Sequence, residues 1–300
     1  MTVSRVRLPG GDLELSRIVA GCWRLLDWNA SRAELDRWIR GSLDLGITTF
    51  DHADIYGGHG CEAAFGAAID PGLRDRIEIV TKCGIAMRCE ARPQYRVNHY
   101  DTSAAHVVDS VESSLRALRT DRIDVLLIHR PDPLLDADEV ARAFGELRRA
   151  GKVRTFGVSN FLPWQLDLLQ ARLDAPLVTN QIELHVGRLE PLHDGTLDQC
   201  QRLRVPPMAW SPLAGGALVT SSEDRWQRIR AVLGRIAAAR GASPEQVAIA
   251  WILRHPARVI PVLGTGQLAR LRDLAEAEQI DLDRQEWFEI WEASAGQEVP

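Results

Sequence analysis

Short apolar runs of strand length alternate along this chain with longer stretches in which apolar residues recur at helical spacing. Runs over residues 16–21, 47–51, 77–82, 123–129, 153–158, 177–183, 205–210 and 258–262 predict eight strands. They are nearly continuous in hydrophobicity, as in DVLLIH at 124–129, which is the pattern of a parallel sheet covered on both faces. Between them the period lengthens. Over 101–118 the chain opens with Asp-Thr-Ser, a set of N-capping residues, and then spaces Val107, Val108, Val111, Leu115 and Leu118 along one helical face. Residues 135–150 repeat the device and stop at Gly151, a C-cap signal, while 162–173 starts beside Pro163.

Eight strand-loop-helix units favour a closed (β/α)8 TIM barrel of the α/β class over an open doubly wound sheet, because about 250 residues is typical of that barrel and the count closes the circle. No Pro/Gly/Ser-rich linker or change of composition divides residues 1–300, so one barrel domain is expected. Ahead of it, residues 3–14 place a PGGD turn between short alternating segments and predict a β-hairpin positioned to plug the barrel's bottom. After it, residues 284–293 carry Trp287, Ile290 and Trp291 at helical spacing and predict an extra C-terminal helix packed on the outside.

Composition narrows the function classes. With 45% hydrophobic and 26% charged residues, a net charge of −5 and no block of like charge, the chain reads as soluble, with no nucleic-acid or membrane partner and a small molecule as its ligand. The first residues lack the apolar core of a signal peptide, and the longest apolar run, 247–253, is too short for a bilayer, so a cytoplasmic location is expected. Five cysteines form no CxxC pair, which argues for reduced thiols over a disulfide framework or zinc ribbon, and no metal is expected. The absence of an evident exposed apolar stripe favours a monomer or a weak homo-oligomer.

In such a barrel the chemistry sits at the C-terminal ends of strands. Asp51 ends the second strand, in ITTFDHADIYG; Lys82 ends the third, in IEIVTKCG; His129 ends the fourth; Tyr56 follows Asp51 by five residues. A strand-end lysine that is buried needs an acidic partner, and Asp51 is the obvious one. A tyrosine beside that lysine is expected to have its pKa lowered from about 10, which suits a general acid, and a neighbouring histidine can donate to a carbonyl. One ionisable strand-end residue is ordinarily structural; four together point to chemistry. His52 and His59 adjoin this loop without a metal-binding pattern. Lys82 acting as a Schiff-base amine is disfavoured, because Asp51 keeps it charged.

The segments FDHADIYG, VTKCG, LLIHRPD, GKVRTFGVSNF, NQIE and WSPLAGG resemble, in order and over nearly the whole chain, the signature motifs of the aldo-keto reductases, in particular a bacterial branch of general oxidoreductases. The resemblance implies that Tyr56 donates a proton to a carbonyl oxygen, Lys82 lowers its pKa, Asp51 holds Lys82 and His129 orients the carbonyl. It also implies a nicotinamide cofactor. Ser159, Asn160 and Gln181 would bond the carboxamide, Trp210 would stack on the ring, and Ser211, Leu213 and Gly215 would wrap the pyrophosphate. Gly264, Thr265 and Gly266 precede a helix N-terminus that favours phosphate. Arg270, assisted by Thr265, matches the arginine that grips the adenosine 2′-phosphate, so NADP(H) is preferred, with NAD(H) also accepted. Gly264 stands where many members have a lysine, and Leu274 where an asparagine is usual; Arg272, two residues along a helix from Arg270, points elsewhere.

Trp23, Tyr56 and His129 are expected around an aldehyde or ketone substrate, with walls from the connection 84–100, which carries Arg88, Arg92, Arg96, His99 and Tyr100. The competing class is a nucleotide-binding regulatory or sensor subunit with little turnover, since the family resemblance extends to regulatory subunits of membrane channels. The chain has no interaction segment to support it.

Overall fold

A computed structural model describes residues 2–90 and 92–300. Its chain begins with an antiparallel hairpin of β1 (Arg5–Arg7) and β2 (Glu14–Ser16), paired Val6 to Leu15. The intervening turn reaches the next layer closely. A side chain on Gly10, which has φ +79°, would meet Pro176 Cγ at 2.7 Å. Val6, Leu8, Leu13 and Leu15 pack against Val19, Val80, Val125, Val178, Met208 and Ile260, in or just before the first halves of six barrel strands. The hairpin therefore plugs the N-terminal end of the barrel, leaving the other end open for the site.

The later strands are β3 (Val19–Gly21), β4 (Thr49–Asp51), β5 (Glu78–Cys83), β6 (Ile85–Ala86), β7 (His99–Tyr100), β8 (Ile123–Ile128), β9 (Val153–Ser159), β10 (Asn180–Glu183), β11 (Met208–Trp210) and β12 (Ile260–Leu263). β6 and β7 pair antiparallel as a small flap, whereas the others close into a parallel barrel in which β12 returns to β3. Their side chains are buried on both faces, as in β8, which is why they read as continuous apolar runs. Several predicted strands are longer than the ladders observed, 16–21 and 205–210 among them. The run 16–21 breaks because the Ser16 hydroxyl donates to Ile18 O at 2.7 Å, bending the chain between hairpin and barrel. The run 205–210 starts pairing only at Met208, because Pro206 and Pro207 have no N–H to offer.

The helices are α1 (Arg32–Asp44), α2 (Cys61–Ala68), α3 (Pro71–Arg74), α4 (Ala104–Leu118), α5 (Ala137–Arg149), α6 (Pro163–Gln170), α7 (Thr196–Leu203), α8 (Ala217–Thr220), α9 (Asp224–Arg240), α10 (Pro244–Leu253), α11 (Leu268–Ala275) and α12 (Arg284–Ala295). Local chemistry sets their starts. Ser103 caps α4 through His106 N, and Asp136 caps α5 through Asp138 N and Glu139 N. The expected C-terminal helix, α12, packs on α10: the Trp251 and Trp287 rings stack with centroids 4.8 Å apart, and each indole N–H donates to the other residue's carbonyl. Among the described residues, no helix is long and apolar enough to cross a membrane.

Candidate active site

Asp51 is the last residue of β4, Lys82 lies near the end of β5 and His129 follows β8, so neighbouring strands deliver all three to one end of the barrel. Lys82 is buried, and its ammonium group donates to both carboxylate oxygens of Asp51 at 2.8 and 2.9 Å, to the His52 carbonyl at 2.7 Å and to the Tyr56 hydroxyl at 3.1 Å. Carboxylate, carbonyl and phenol thus match the three donors of an ammonium. Burial pulls the Lys82 pKa down, but Asp51 and Tyr56 outweigh it and hold the ammonium above its ordinary value. A fourth group joins through Gln181, whose Nε2 donates to Asp51 Oδ1 at 2.7 Å.

Tyr56 departs from expectation. Burial pushes its phenol above the ordinary value, and the opposing pull of Lys82, already shared with Asp51, does not reverse this. The phenol accepts a hydrogen bond from Lys82, so its own proton stays available to another acceptor. Next to it, the His129 ring meets Tyr56 edge-on, with centroids 5.9 Å apart. Burial, then Lys82 and Arg130, drive the His129 pKa well below its ordinary value, leaving a neutral ring. Its Nδ1 is buried without a partner among the described residues.

These residues open into a cavity of about 550 Å³ that also takes in Ser159, Asn160, Gln181, Trp210, Ser211, Leu213, Gly215, Gly264, Thr265, Arg270 and Leu274. One wall is wired together. Ser159 Oγ donates to Gln181 O at 2.8 Å, Asn160 Nδ2 to Ser159 Oγ at 2.8 Å, and Trp210 Nε1 to Asn160 Oδ1 at 3.0 Å. Asn160 holds φ +61°, which its short polar side chain tolerates. After Trp210, positive φ values at Ser211, Ala214, Gly215 and Gly216 curl the loop in the manner of anion-binding backbone.

Gly266 does not line this cavity. A Cβ there would lie 2.5 Å from Trp28 Cδ2, so the position belongs to the packing of α11 under the loop before α1. Likewise, Arg88, Arg92, Arg96, His99 and Tyr100 lie outside the lining; Ile85 in the flap and Met87 just after β6 supply the apolar wall instead. Trp23 stands at the mouth, 54% exposed and 6.5 Å from the Tyr56 ring. Ile85 and Met87 belong to the connection 84–100 expected to form substrate walls, although its basic residues were the ones singled out, whereas Arg24 and Arg130 were not anticipated. Arg130 carried a usable signal, since it directly follows the strand-end His129.

A second buried polar group lies behind the site. His52 packs edge-on to Phe65 with neither ring nitrogen partnered among the described residues, and burial and Lys82 lower its pKa to about 3. Asp54, whose N–H donates to Lys82 O at 3.1 Å, is pushed up to about 8 by burial and by Glu62.

Residues 17–295 match the model of the aldo/keto reductase family. The chain is 52% identical over 301 residues to the oxidoreductase YdhF of Escherichia coli (strain K12), covering 99% of this chain and all of that one. It is 49% identical over 290 residues to a 6-dehydroglucose reductase of Agrobacterium fabrum, covering 96% and 97% of the two chains. The crystal structure of a Klebsiella pneumoniae aldo/keto reductase in complex with NADP and acetate superposes with a TM-score of 0.79 at 28% identity, covering 96% of this chain and 94% of that one. The barrel, the pairing of Lys82 with Asp51 and Tyr56, and these likenesses lead to one assignment: the chain belongs to the aldo/keto reductase family and is a nicotinamide-dependent oxidoreductase acting on carbonyl groups.

Proposed function

We propose that this chain, working as one domain, reduces aldehydes or ketones with NADPH and that Tyr56 delivers the proton. The observation that carries the reading is the Lys82 ammonium held between Asp51 and the Tyr56 hydroxyl, 3.1 Å from the latter. A dinucleotide fits the residues present. The cavity runs from Tyr56 past the indole of Trp210 and the curled loop 211–216 to Arg270 and Thr265, offering in turn an aromatic face, backbone amides and a guanidinium. Ser159, Asn160 and Gln181 would hold the carboxamide end, and Arg270 the 2′-phosphate end, with the Klebsiella protein's NADP complex in support. When bound, the reduced nicotinamide supplies the hydride. Gly264 and Leu274 bring no polar side chain to the adenosine end, so NADH is expected to serve as well, less effectively.

The chain's own residues do the rest. Neutral His129 and protonated Tyr56 converge on one region of the cavity, where both can donate to a carbonyl oxygen. As negative charge develops on that oxygen, Tyr56 releases its proton to it, and the Lys82 ammonium, already aimed at the phenol oxygen, stabilises the phenolate left behind. In the reverse direction the phenolate takes the proton back from an alcohol. Trp23, Ile85 and Met87 shield this region from solvent. The relative that reduces 6-dehydroglucose makes a sugar aldehyde the first substrate class to try.

Oxidation of NADPH and NADH is followed at the absorbance of the reduced cofactor with a panel of aldehydes, ketones and sugar aldehydes, in the wild type and Tyr56→Phe. Removing the phenolic proton is expected to lower kcat by about 10²–10⁴-fold while cofactor binding survives. Tight nucleotide binding without turnover in either protein would move the reading to a nucleotide sensor.

A further inference from the structure

We propose that Arg130 selects carbonyl compounds bearing an oxygen acceptor, hydroxyl or carboxylate, within two carbons of the reacting carbonyl; this rests on the reductase reading above. Arg130 is half-buried, lines the cavity and follows His129 directly. Its guanidinium lies over the Trp210 ring, 5.7 Å from the centroid. Among the described residues it forms no ion pair. Among the described residues, Asp51 is the only carboxylate in the cavity lining, and the Lys82 ammonium lies within 2.9 Å of both its oxygens.

A guanidinium carries five N–H donors in a fixed fork and cannot shed its charge, so in a part-desolvated position it favours a ligand that brings oxygen acceptors. Among the described residues no side chain hydrogen-bonds or ion-pairs with it, and its contact is with the face of Trp210. Trp23, Ile85 and Met87 contribute apolar surface, and Trp210 has committed its only donor to Asn160. An unsubstituted aldehyde leaves the fork without a partner, whereas a hydroxylated or carboxylated one satisfies it and fixes which way the carbonyl faces. Trp210 is also the proposed seat of the nicotinamide, and Arg130 lines the same cavity next in sequence to His129, so a substrate held there has the fork on its wall. Arg130 thereby adds discrimination next to the proton donor without taking part in proton transfer.

The test compares kcat/KM for glyceraldehyde, glyoxylate and propanal in the wild type, Arg130→Met, Arg130→Lys and Arg130→Gln, with NADPH affinity measured by fluorescence titration in each. Loss of a charge-assisted hydrogen bond is expected to lower the value for glyceraldehyde or glyoxylate by about 10–100-fold in Arg130→Met, with a much smaller fall for propanal, NADPH affinity close to that of the wild type, and partial recovery in Arg130→Lys. A larger loss for glyoxylate identifies a carboxylate as the group read; a larger loss for glyceraldehyde identifies a hydroxyl. Equal losses for all three aldehydes, or none for any, overturn the proposal while leaving the reductase reading standing. If Arg130→Met does not fold, Arg130→Gln, which keeps a donor but no charge, carries the same comparison. A wild type that turns over none of the three overturns the reductase reading and the selection together.

Discussion

Gln181 donates from Nε2 to Asp51 Oδ1 across 2.7 Å, which ties the wall proposed for the nicotinamide carboxamide to the ion pair that holds Lys82. One amide thus serves two tasks, for its nitrogen is spent on Asp51 and its oxygen remains the acceptor at that wall. Gln181→Leu removes both and is expected to raise the KM for NADPH about tenfold, the worth of one hydrogen bond left unmade. Gln181→Glu sets a second carboxylate against Asp51 and is expected to do more damage to kcat. Fluorescence titration with NADPH alongside steady-state kinetics separates the effects; wild-type affinity in both variants would remove Gln181 from the cofactor site.

The Lys82 and Asp51 pair allows stability and chemistry to be told apart. Lys82→Met strands a buried carboxylate and is expected to destabilise the fold by about 3–5 kcal/mol, whereas adding Asp51→Asn removes the stranded charge and should recover most of that loss. Neither protein should reduce an aldehyde, since Tyr56 loses its cationic neighbour in both. Urea unfolding gives the first comparison and an NADPH assay the second. Activity in the stable double variant would show that Lys82 is structural.

Asp51, Lys82 and His129 were legible in the sequence because strand ends in a parallel barrel all face one site, a rule that needs only strand boundaries. Tyr56 was legible as a residue but not in its electrostatics: the direction of its pKa depends on how completely the loops bury it, and burial is set by contacts distant in sequence. That Ile85 and Met87 form the wall supplied by the connection 84–100, rather than its basic residues, escaped for a like reason, since the flap depends on pairing Ile85 with Tyr100 across a segment that reads as a basic loop. Gly266 looked like part of a phosphate turn, yet it is glycine because Trp28 lies against it, a contact no local pattern announces.

Stability should depend on pH through His52 and His185, lowered to about 3 and about 4 chiefly by burial. A histidine whose folded pKa lies below its unfolded value near 6.5 contributes full stability above 6.5 and loses it as pH falls, because only the unfolded chain takes up the proton. Each is expected to add a slope of about 1.4 kcal/mol per pH unit between pH 6 and 4. Asp54, raised to about 8, works in the opposite sense: its stability is present at low pH and is lost as pH rises from about 4 toward 8. Urea unfolding at pH 5 and pH 7 should show His52→Phe flattening the acid limb and Asp54→Asn steepening the rise of stability with pH. Wild-type slopes in His52→Phe would mean that the ring is hydrated in solution.

Reduction requires Tyr56 to hold its proton, so its rate must fall as pH rises through the Tyr56 pKa. A phenol pulled down by Lys82 would place that limb below about 10, whereas a phenol raised by burial places it above. His129, neutral well below its ordinary value, adds no acid limb near 6.5, and Lys82, held above its own ordinary value, stays charged throughout. At saturating NADPH, kcat for a good aldehyde is therefore expected to be level from about pH 6.5 to 9.5. A basic limb near pH 8, present in the wild type and absent from the residual activity of Tyr56→Phe, would mean that the attraction of Lys82 exceeds the effect of burial once substrate and cofactor are seated. The level profile would instead make Lys82 a stabiliser of the phenolate formed during the reaction, with little influence on the resting phenol.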